Sequence, residues 1–438
     1  MKRVAIWGLG REGRAVFERR HALFPDLETC VLIDESSDEI PAWAEGCSLE
    51  QPSILEEREF DLLVRSAGVS PYKPEIQHYL SKGGCVKSVS TLWFERNPGV
   101  NTLCITGTKG KSTTSKLVWH LLTKLGVDAA LGGNIGVPLL ELPAGKEWYV
   151  IEMSSYQTSD FEGEASVGAV LNLFEDHVSW HGGVDQYHRD KLRLLRQSRQ
   201  ALVGAGVKEH PAFLAEEPDL NREVLALEHQ SQWRLEKGGL CLNGEVLDVS
   251  GLSLRGEHNL WNLRAAMSLV ASCVPLEKLP QAVSGWRQLL EGYEPLPFRL
   301  EEVGVFNDKL WVCDPLSTNA SSTIASLEAY SDKRVVLLMG GLNRDQDLSP
   351  LVEYIQKAHH VEAVIGMPDT GFLVLDALGE QKRATGLTLK QAASVEEGLT
   401  IAKQLVGVDV VLFSPASASL HSGETYITRG NAFKNGLF

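Results

Sequence analysis

A short glycine-rich loop between an apolar run and a helix-like stretch constrains the fold of this chain most. Thr102–Ile105 reads as a buried strand, and the chain then enters Gly107–Thr113, with the sequence GTKGKST. Apolar side chains at helical spacing follow. A strand, a glycine-rich turn ending in Gly-Lys-Ser-Thr and a helix can cradle a triphosphate, because backbone N–H groups and the helix N-terminus face the phosphates. The loop therefore predicts a phosphate-binding α/β domain.

The side chains of this loop have separate expected roles. Lys111 would neutralise the β- and γ-phosphates, and the hydroxyl of Ser112 or Thr113 would reach Mg²⁺. The spacing GxxGK[ST] is shorter than the common GxxxxGK[ST], so an ordinary glycine turn is the alternative interpretation. The residues predicted to contact the triphosphate here are Gly107, Thr108, Lys109, Gly110, Lys111, Ser112 and Thr113.

The amino-terminal segment carries a second glycine-rich turn. Val4–Trp7 and Cys30–Ile33 read as buried strands separated by a helix-like stretch, and Asp34 ends the second run. The turn GLGREG follows the first strand. This is the pattern of a dinucleotide-binding βαβ unit, although three such glycines can also serve tight packing alone. We predict a Rossmann-like domain that binds a nucleotide-type ligand.

Composition and charge narrow the possible partners. The chain has 438 residues and a formal net charge of −15. A field of that sign repels a phosphate backbone, so nucleic acid is not an expected partner. The seven cysteines are scattered without a CxxC pair, which supports neither a disulfide framework nor a zinc knuckle. No apolar run is long enough to span a membrane, so we expect no membrane partner and a cytoplasmic protein.

Two breaks in the sequence predict three domains, all of the α/β class. Asn97–Gly99 is a linker-like turn, and Glu294–Pro297 is a proline-spaced run. The predicted domains are an N-terminal Rossmann-like domain (1–97), a central P-loop ATPase-like domain (98–297) and a C-terminal Rossmann-like α/β domain (298–438). Buried strands of the third domain are predicted at Val335–Met339, Val361–Ile365 and Val410–Phe413.

Acidic and histidine side chains follow two further apolar runs. Glu152 ends a buried strand, where a carboxylate is unfavourable unless it is paired or binds a metal ion. His177 lies downstream with more His and Asp residues nearby, a composition that also fits zinc. Gly182-Gly183 interrupts any common helical face, and the oxygen-rich set suits Mg²⁺ better. We predict that Glu152 and His177 bind Mg²⁺. The alternatives are an edge-strand carboxylate without a ligand for Glu152, and a surface histidine or a zinc site for His177. The other acidic and histidine residues near His177 are Asp176, His181, Asp185, His188 and Asp190.

In this order along the chain, the motifs resemble those of the Mur ligases and of their relative folylpolyglutamate synthase. The likeness is carried first by ITGTKGKSTT and extends over the whole chain. The matching blocks downstream are Gly133–Gly136 (GNIG), Glu152 in VIEMSSYQ, Asn172 and His177 in LNLFEDH, Lys191 in YHRDKLRL, Gly256–Asn259 with Asn262, Arg299 in LPFRLE, Asp314 with Thr318-Asn319, Ser414–Ala416 and Arg429-Gly430.

The resemblance implies a set of site residues. The implied catalytic residues are Lys111, Glu152, His177 and Lys191, and the implied Mg²⁺ ligands are Ser112, Glu152, His177 and Lys191 in carbamylated form. The implied ATP contacts beyond the loop are Asn259, Asn262, Arg299 and Asp314. The first domain would bind the uridine diphosphate of the substrate and no nicotinamide. The implied substrate contacts are Arg11, Glu12, Asp34, Gly68, Asn134, Thr318, Arg344, Ser419 and Tyr426.

The resemblance also implies a reaction in peptidoglycan precursor synthesis. The chain looks most like the MurD type, in which ATP activates the carboxylate of UDP-N-acetylmuramoyl-L-alanine (UDP-MurNAc-L-Ala) as an acyl phosphate and the amine of glutamate attacks it. Leu316 and Arg344 stand where the usual pattern has lysines, and Tyr426 replaces a phenylalanine. Arginine can bind a carboxylate through two bonds, a geometry that lysine cannot copy, so the amino-acid pocket is altered. With this altered pocket, WGLGREGRA and GTKGKSTT look most like the branch that adds L-glutamate, with D-glutamate as the alternative. A monomer is expected.

Three other functions remain open at this point. An NAD(P)-dependent oxidoreductase would explain GLGREG and Asp34, but it would leave the phosphate loop and Glu152 unexplained. Folylpolyglutamate synthase shares the short loop but lacks a Rossmann-like domain ahead of it. A non-catalytic nucleotide-binding protein would have no need of Lys111, Glu152, His177 and Lys191.

Overall fold

A computed structural model describes the chain apart from residues 37–38, 177, 221–222, 230–232, 237–238, 253, 345, 381–385, 420–423 and 438. The chain forms two compact units. The first comprises Met1–Leu247 and Asn262–Leu290, and the second comprises Asp248–Trp261 and Glu291–Phe438.

The first unit begins with a parallel sheet. Its strands are β1 (Arg3–Trp7), β2 (Thr29–Ile33), β3 (Ser48–Glu50), β4 (Leu62–Arg65) and β5 (Val86–Ser88). The spatial order is β3-β2-β1-β4-β5, so the chain order reverses beside β1, and the carboxyl ends of strands at such a point commonly hold a ligand. The accompanying helices are α1 (Arg11–Glu18), α2 (Arg20–Leu23), α3 (Ile54–Glu57), α4 (Pro74–Ser81) and α5 (Val89–Arg96).

The turn GLGREG joins β1 to α1 as predicted. Gly13 lies in the first turns of α1, and a Cβ added there would come within 1.9 Å of the carbonyl oxygen of Gly8. Glycine at this position therefore lets the helix pack directly on the end of the strand. Val16 and Phe17 on the buried face of α1 then pack with Ile6 of β1 in one apolar core.

A second parallel sheet forms the centre of the first unit. Its strands are β6 (Thr102–Thr106), β7 (Ala129–Gly133), β8 (Trp148–Glu152), β9 (Ala165–Val170), β10 (Ser198–Val203) and β11 (Val224–Ala226). The order is β11-β10-β9-β6-β8-β7, which places β6 between β8 and β9. Their carboxyl ends are therefore neighbours at one edge. The intervening helices are α6 (Lys111–Lys124), α7 (Ser155–Thr158), α8 (Val178–His181), α9 (Val184–Arg196) and α10 (Pro211–Glu216).

Shorter elements follow the central sheet. A small antiparallel sheet contains β12 (Arg234–Glu236), β13 (Gly239–Leu242) and β14 (Glu245–Val246). Helix α11 (Glu257–Ala271) crosses the boundary between the two units, and α12 (Val283–Leu289) belongs to the first. Short 3₁₀ helices lie at Ala42–Ala44, Leu139–Glu141, Glu217–Asp219, Leu227–His229 and Leu276–Lys278.

The second unit is built on one mixed sheet. Its strands are β15 (Glu301–Phe306), β16 (Lys309–Cys313), β17 (Val335–Met339), β18 (Val361–Gly366), β19 (Thr388–Gln391) and β20 (Val410–Phe413). The order is β15-β16-β20-β17-β18-β19, and only β15 pairs antiparallel among these strands. Separate apolar cores cover its two faces. The helices are α13 (Ala320–Glu328), α14 (Ser349–Lys357), α15 (Thr370–Glu380), α16 (Val395–Gln404) and α17 (Tyr426–Asn435).

The predicted α/β class with mostly parallel sheets is confirmed. Each strand predicted from a short apolar run is present, and Val335–Met339 and Val410–Phe413 have the predicted bounds. Fully buried parallel strands read as continuous apolar runs, which is why these were recognisable. Among the described residues, no helix combines the length and apolarity needed to cross a lipid bilayer.

Candidate active site

The glycine-rich loop connects β6 to α6 at the carboxyl edge of the central sheet. Gly110 directly precedes the helix with φ of 82°, a left-handed conformation that disfavours other residues. A Cβ there would lie 2.2 Å from Oδ1 of Asn262, a predicted ATP contact that the structure thus brings to the loop. Gly110 offers no side-chain cap to the helix. The N-terminus of α6 is therefore suited to a phosphate group.

Lys111 is the first residue of α6 and folds back over the loop. Its Nζ donates to the carbonyl oxygens of Gly107 and Thr108, at 2.9 Å each. Ser112 is buried and Thr113 half-buried in the same first turn. Lys109, also predicted to contact ATP, forms an ion pair with Asp176 at 3.5 Å. The predicted phosphate-contacting residues are thus gathered at one helix N-terminus.

Asn172 follows β9 by two residues and hydrogen-bonds to the phosphate loop, which follows the adjacent strand β6. Its Oδ1 accepts hydrogen bonds from the backbone N–H groups of Thr108 (3.0 Å) and Lys109 (2.9 Å), and its Nδ2 donates to the Lys109 carbonyl at 3.0 Å. The Thr108 hydroxyl also contacts the hydroxyl of Tyr187 at 2.9 Å. In the sequence, Asn172 is noted only as part of the LNLFEDH block with His177, and Tyr187 carries no signal of its own. Both positions hold the loop in a fixed shape.

Glu152 lies at the carboxyl end of β8, directly beside β6. It pairs in register with Ile105 and is only 1% exposed. Oε1 accepts a hydrogen bond from Nδ2 of Asn134 at 2.7 Å, whereas Oε2 has no hydrogen-bond partner among the described residues. A buried carboxylate oxygen left in this state is costly unless a cation binds it. The carboxylate therefore fits Mg²⁺, a cation that prefers oxygen ligands.

Lys191 on α9 points at the same loop. It is 1% exposed, and its Nζ donates to the Gly107 carbonyl at 2.8 Å, the carbonyl that Lys111 also contacts. Burial lowers the pKa of Lys191 well below that of a solvated lysine, and the positive charge of Lys111 lowers it further. The negative charge of Glu152 acts in the opposite direction. Burial dominates, so the amine is neutral in a larger fraction of molecules than an exposed lysine would be.

The described members of the histidine cluster make contacts other than those of a metal centre. His177 lies outside the described residues. Among the residues that are described, no group of three or more His, Cys, Asp or Glu side chains is placed to hold a metal ion, so the zinc alternative is not supported. His181 instead pairs with Asp190, and His188 stacks edge-on against His210 with ring centroids 4.7 Å apart.

Two predicted substrate contacts of the amino-terminal sheet reach the central sheet. Arg11 Nη1 donates to the carbonyl of Gly136 in the GNIG turn at 3.2 Å. Glu12 accepts from the backbone N–H of Ala67 and from Nε2 of Gln157, both at 2.7 Å. Arg11 and Glu12 therefore connect the first glycine-rich turn to loops that follow β7 and β8.

Asp34 and Gly68 lie on either side of β1 at the carboxyl edge of the amino-terminal sheet. Asp34 follows β2, and its carboxylate accepts from the backbone N–H of Ser36 at 2.8 Å and approaches that of Leu9 at 3.4 Å. Gly68 follows β4, and its carbonyl accepts from Nε1 of Trp180 at 3.1 Å. The structure thus places the predicted uridine-contacting residues where the strand order reverses.

Replacing Asp34 with alanine is expected to raise KM for the uridine nucleotide substrate at least about tenfold, because a hydrogen bond to a charged group is lost. KM for ATP should change less than about twofold. The measurement is steady-state ADP release with each substrate varied in turn. Asp61→Ala is the matched control, since Asp61 accepts from the backbone of Lys2 and Arg3 at the opposite edge of the sheet. Equal effects of Asp34→Ala on both KM values would contradict the assignment.

The second unit buries two predicted ATP contacts, Asp314 and Asn259. Asp314 accepts hydrogen bonds from the hydroxyls of Ser317 (2.5 Å), Ser326 (2.6 Å) and Ser414 (3.1 Å), and from the backbone N–H of Leu300 at 3.2 Å. Burial raises the pKa of Asp314, while these donors act against the rise. Asp314 therefore anchors the strand ends around it. The amide of Asn259 donates to the Arg255 carbonyl, and a third predicted contact in this unit is the half-buried Arg299.

The predicted amino-acid contacts lie on loops after β16, β17 and β20. An isolated bridge between Leu342 and Ala418 brings the segments carrying Arg344 and Ser419 together. Arg344 is exposed, as is Thr318, which precedes α13. Tyr426 begins α17, is 40% exposed and packs edge-on against Phe298. Arg429 on the same helix is buried and donates to the carbonyls of Gly340, Ser417 and Ala418, which fixes both loops.

Comparisons with known proteins agree with this arrangement. A family model described as the Mur ligase middle domain matches residues 105–270, which include the phosphate loop, Glu152 and Lys191. A protein of Xanthomonas euvesicatoria pv. vesicatoria named UDP-N-acetylmuramoyl-L-alanine–L-glutamate ligase is 32% identical, over 99% of this chain and 94% of its own. A protein of the same name from Xylella fastidiosa (strain Temecula1) is 33% identical, over 98% and 94%. This chain belongs to the Mur ligase family.

Solved structures share the fold of this Mur ligase at low sequence identity. MurC of Thermotoga maritima matches with a TM-score of 0.59 and 15% identity over 99% of each chain. MurF of the same organism, in complex with ADP, matches with a TM-score of 0.58 and 15% identity over 99% of this chain and 94% of its own. Folylpolyglutamate synthase of Mycobacterium tuberculosis, complexed with ADP, gives 0.58 and 16% over 79% and 92%.

Family membership decides between the enzyme classes that the sequence left open. This Mur ligase is an ATP-dependent ligase that forms ADP, and its substrates are small molecules. The oxidoreductase reading of GLGREG is therefore wrong, although the turn itself has the predicted conformation. The reading as a non-catalytic nucleotide-binding protein is also unsupported, because Lys111, Glu152 and Lys191 converge on one loop.

Proposed function

We propose that this Mur ligase joins L-glutamate to UDP-MurNAc-L-Ala, with conversion of ATP to ADP and phosphate, in peptidoglycan precursor synthesis. The observation that carries the proposal is the convergence of Lys111, Lys191 and Glu152 at the phosphate loop. Relatives named for this reaction over their full length support it. The test is ADP release from purified protein with each substrate omitted in turn. Release that does not depend on both UDP-MurNAc-L-Ala and glutamate would refute the proposal.

The residues at the phosphate loop reduce the repulsion between two anionic reactants. The acceptor carboxylate must approach the γ-phosphate of ATP, and both groups are anions. The ammonium of Lys111 and the N-terminus of α6 lower this repulsion and stabilise the charge on the transferring phosphoryl group. Asn172 and Tyr187 keep the loop rigid, so little reorganisation is needed during the reaction. The resulting acyl phosphate is then attacked by the amine of the incoming amino acid, and phosphate leaves.

We propose that Mg²⁺ is bound by Glu152 together with Ser112, His177 and a carbamylated Lys191. The buried, unpartnered Oε2 of Glu152 supports this, because it is an anionic oxygen beside the phosphate loop. When bound, Mg²⁺ supplies positive charge to the phosphate oxygens. Asn134 holds the other oxygen of Glu152 and so orients the carboxylate.

The surroundings of Lys191 support the proposed carbamylation. The reaction joins CO₂ to the neutral amine, forms a new N–C bond and releases one proton. Its burial and the nearby charge of Lys111 lower the pKa of Lys191, which increases the neutral, nucleophilic fraction. The product is a carboxylate at the buried end of the side chain. It would offset the positive charge of Lys111 and provide oxygen ligands for a cation.

We propose L-glutamate as the amino acid because of the pocket loops in the second unit. Arg344 stands exposed on the loop after β17, and Arg429 fixes that loop against the segment carrying Ser419. A guanidinium at Arg344 can bind a glutamate carboxylate through two bonds. Leu316, in turn, cannot provide the positive charge of a lysine. In either enantiomer of glutamate the amine must point at the acyl phosphate. A change from D- to L-glutamate therefore requires a different position for a side chain that binds a carboxylate, and the changes at Leu316 and Arg344 provide one.

In a competition between equal concentrations of L- and D-glutamate, we expect at least about tenfold preference for the L form. Misplacing one charged anchor costs on the order of 2–5 kcal/mol, which exceeds a factor of ten. Chiral chromatography of the acid-hydrolysed product measures the ratio directly. Arg344→Lys should reduce the preference while ADP formation continues. A tenfold or greater preference for D-glutamate would overturn the L-glutamate assignment and leave the ligase assignment intact.

The three predicted domains have separate proposed tasks. We propose that 1–97 binds the uridine diphosphate, 98–297 binds ATP and 298–438 binds glutamate. The strand-order reversal at β1 supports the first task, and the loop after β6 supports the second. Since all the proposed residues belong to one chain, we propose that a monomer is active. We also propose that it acts in the cytoplasm, because its substrates are ATP and a nucleotide-linked precursor.

A further inference from the structure

The loop that contains Gly68 is held by side chains that have no role in the proposed reaction steps. This loop, residues 66–72, follows β4 of the amino-terminal sheet. Trp180 on α8 donates from Nε1 to the Gly68 carbonyl at 3.1 Å, and Ser70 Oγ donates to the Trp180 carbonyl at 3.1 Å. Trp180 thus makes two hydrogen bonds to the loop, one to Gly68 and one to Ser70, within a span of three loop residues. The loop is fixed at its centre, beside the proposed uridine contact.

The end of the same loop is attached to helix α9 through Asp190. The hydroxyl of Tyr72 donates to Oδ1 of Asp190 at 2.6 Å, and Nε2 of Gln186 donates to the same oxygen at 2.7 Å. The other oxygen, Oδ2, lies 2.5 Å from Nδ1 of His181. Both His181 and Asp190 are 2% exposed. Because every oxygen of the buried carboxylate is bonded, Asp190 can hold Tyr72 in one position.

The imidazole of His181 extends this network toward Glu152. Its Nε2 lies 3.0 Å from the hydroxyl of Ser155, which begins α7 three residues after Glu152. Nδ1–H donating to Asp190 and Nε2 accepting from Ser155 form a consistent tautomer. The two ends of the network are therefore the loop 66–72 and the residues that follow β8.

A second set of contacts to the loop 66–72 is made by Arg65, the last residue of β4. The guanidinium of Arg65 is fully buried, donates to the carbonyls of Val69 (2.8 Å) and Tyr156 (3.0 Å), and forms a two-bonded ion pair with Asp160. The Tyr156 ring stacks on Trp180 with centroids 4.2 Å apart. Gly68 is thus held by Trp180 and Val69 by Arg65, and both of these side chains contact Tyr156.

We propose that Trp180 and Asp190 are positioning residues that set the distance between the uridine-binding loop and the lysine at the phosphate loop. Asp190 directly precedes Lys191 on α9, so the helix that presents the lysine also anchors Tyr72. Neither residue contacts the reacting atoms in this scheme. A substrate bound by its uridine end would then place the carboxylate of its alanyl end at a fixed distance from the phosphate loop, next to the γ-phosphate of ATP. This inference rests on the proposed function for the identity of the substrate.

Two conservative variants test the proposal. Trp180→Phe and Tyr72→Phe each remove one hydrogen-bond donor and keep an aromatic ring. Each should raise KM for UDP-MurNAc-L-Ala about tenfold, the effect of one lost hydrogen bond at a positioned loop, with KM for ATP within about twofold. The matched controls are Trp119→Phe, whose Nε1 donates to the Ala129 carbonyl, and Tyr79→Phe, whose hydroxyl donates to the Phe60 carbonyl. Both controls should leave the two KM values unchanged.

Hydrogen–deuterium exchange of residues 66–72 gives a readout that does not need activity. Exchange there should become about tenfold faster in Trp180→Phe and Tyr72→Phe, and not in the controls, while thermal unfolding stays cooperative. Unchanged exchange in these two variants overturns the positioning role, as does an unchanged KM for UDP-MurNAc-L-Ala in an active enzyme. If Trp180→Phe does not fold, Tyr72→Phe alone decides. A wild-type protein without ligase activity refutes the proposed function, and exchange then decides the positioning role by itself.

Discussion

The variant Lys111→Ala is expected to lose ADP formation by about 10²–10³-fold, because a preorganised charge at the transferring phosphoryl group is removed. Lys111 begins α6 and its Nζ donates to two loop carbonyls, so its replacement should leave the strand and helix packing in place. The measurement is ADP release at saturating substrates, with a thermal unfolding curve of the same preparation. The midpoint of unfolding should remain within a few degrees of the wild type.

Lys124→Ala is the matched control for this variant. Lys124 lies in the last turn of the same helix and is exposed, so its removal changes the net charge equally without touching the loop. ADP formation should then stay close to the wild-type rate. If Lys111→Ala keeps activity within tenfold of the wild type, the loop does not serve as the phosphate cradle.

The elements that position the site were predictable because they depend on local sequence. Val335–Met339 and Val410–Phe413 are uninterrupted apolar runs, and burial on both faces of a parallel sheet produces that pattern. The phosphate loop was predictable for a similar reason. A left-handed backbone or a close approach requires glycine at positions such as Gly110, so the loop is recognisable from its glycine spacing.

The bracing contacts were not predictable, since they depend on which strand ends become neighbours. Asn172 and Tyr187 reach Thr108 from 64 and 79 residues away. Only the strand order β9-β6-β8 brings the first of them to the loop. Arg65 resembles an ordinary arginine at a strand end, yet it is fully buried because its partners include Tyr156 of α7 and the two residues that follow this helix. No spacing rule within one segment contains that information.

The chemistry of Lys191 illustrates the same limit. In the sequence it is one lysine on an amphipathic helix, and only the resemblance to the Mur ligases drew attention to it. The structure adds a physical reason, because the side chain is buried and bonded to the Gly107 carbonyl beside Lys111. An unmodified ammonium there would place a second positive charge against the first. Burial and repulsion both favour the neutral amine, which is the form that reacts with CO₂.

Replacing Lys191 with alanine is therefore expected to reduce ligase activity by about 10²-fold or more, through loss of the carboxylate that the proposed carbamate would provide. Small carboxylic acids such as acetate or formate should restore part of it, since they can enter the space vacated by the side chain. The measurement is ADP release as a function of added acid, with chloride at equal ionic strength as the comparison. Lys191→Arg keeps a charge, cannot form the same carbamate and should stay inactive.

Lys309→Ala provides the matched control for rescue. Lys309 is also a buried lysine, 6% exposed, and it donates to the carbonyls of Ala402 and Lys403 in the second unit. Its removal should lower thermal stability, because two carbonyls lose their donor, and no carboxylic acid should restore what is lost. Rescue confined to Lys191→Ala identifies a missing carboxylate rather than a missing amine. Full activity of Lys191→Ala without any added acid would show that the lysine has no catalytic role, even though the phosphate loop keeps its own.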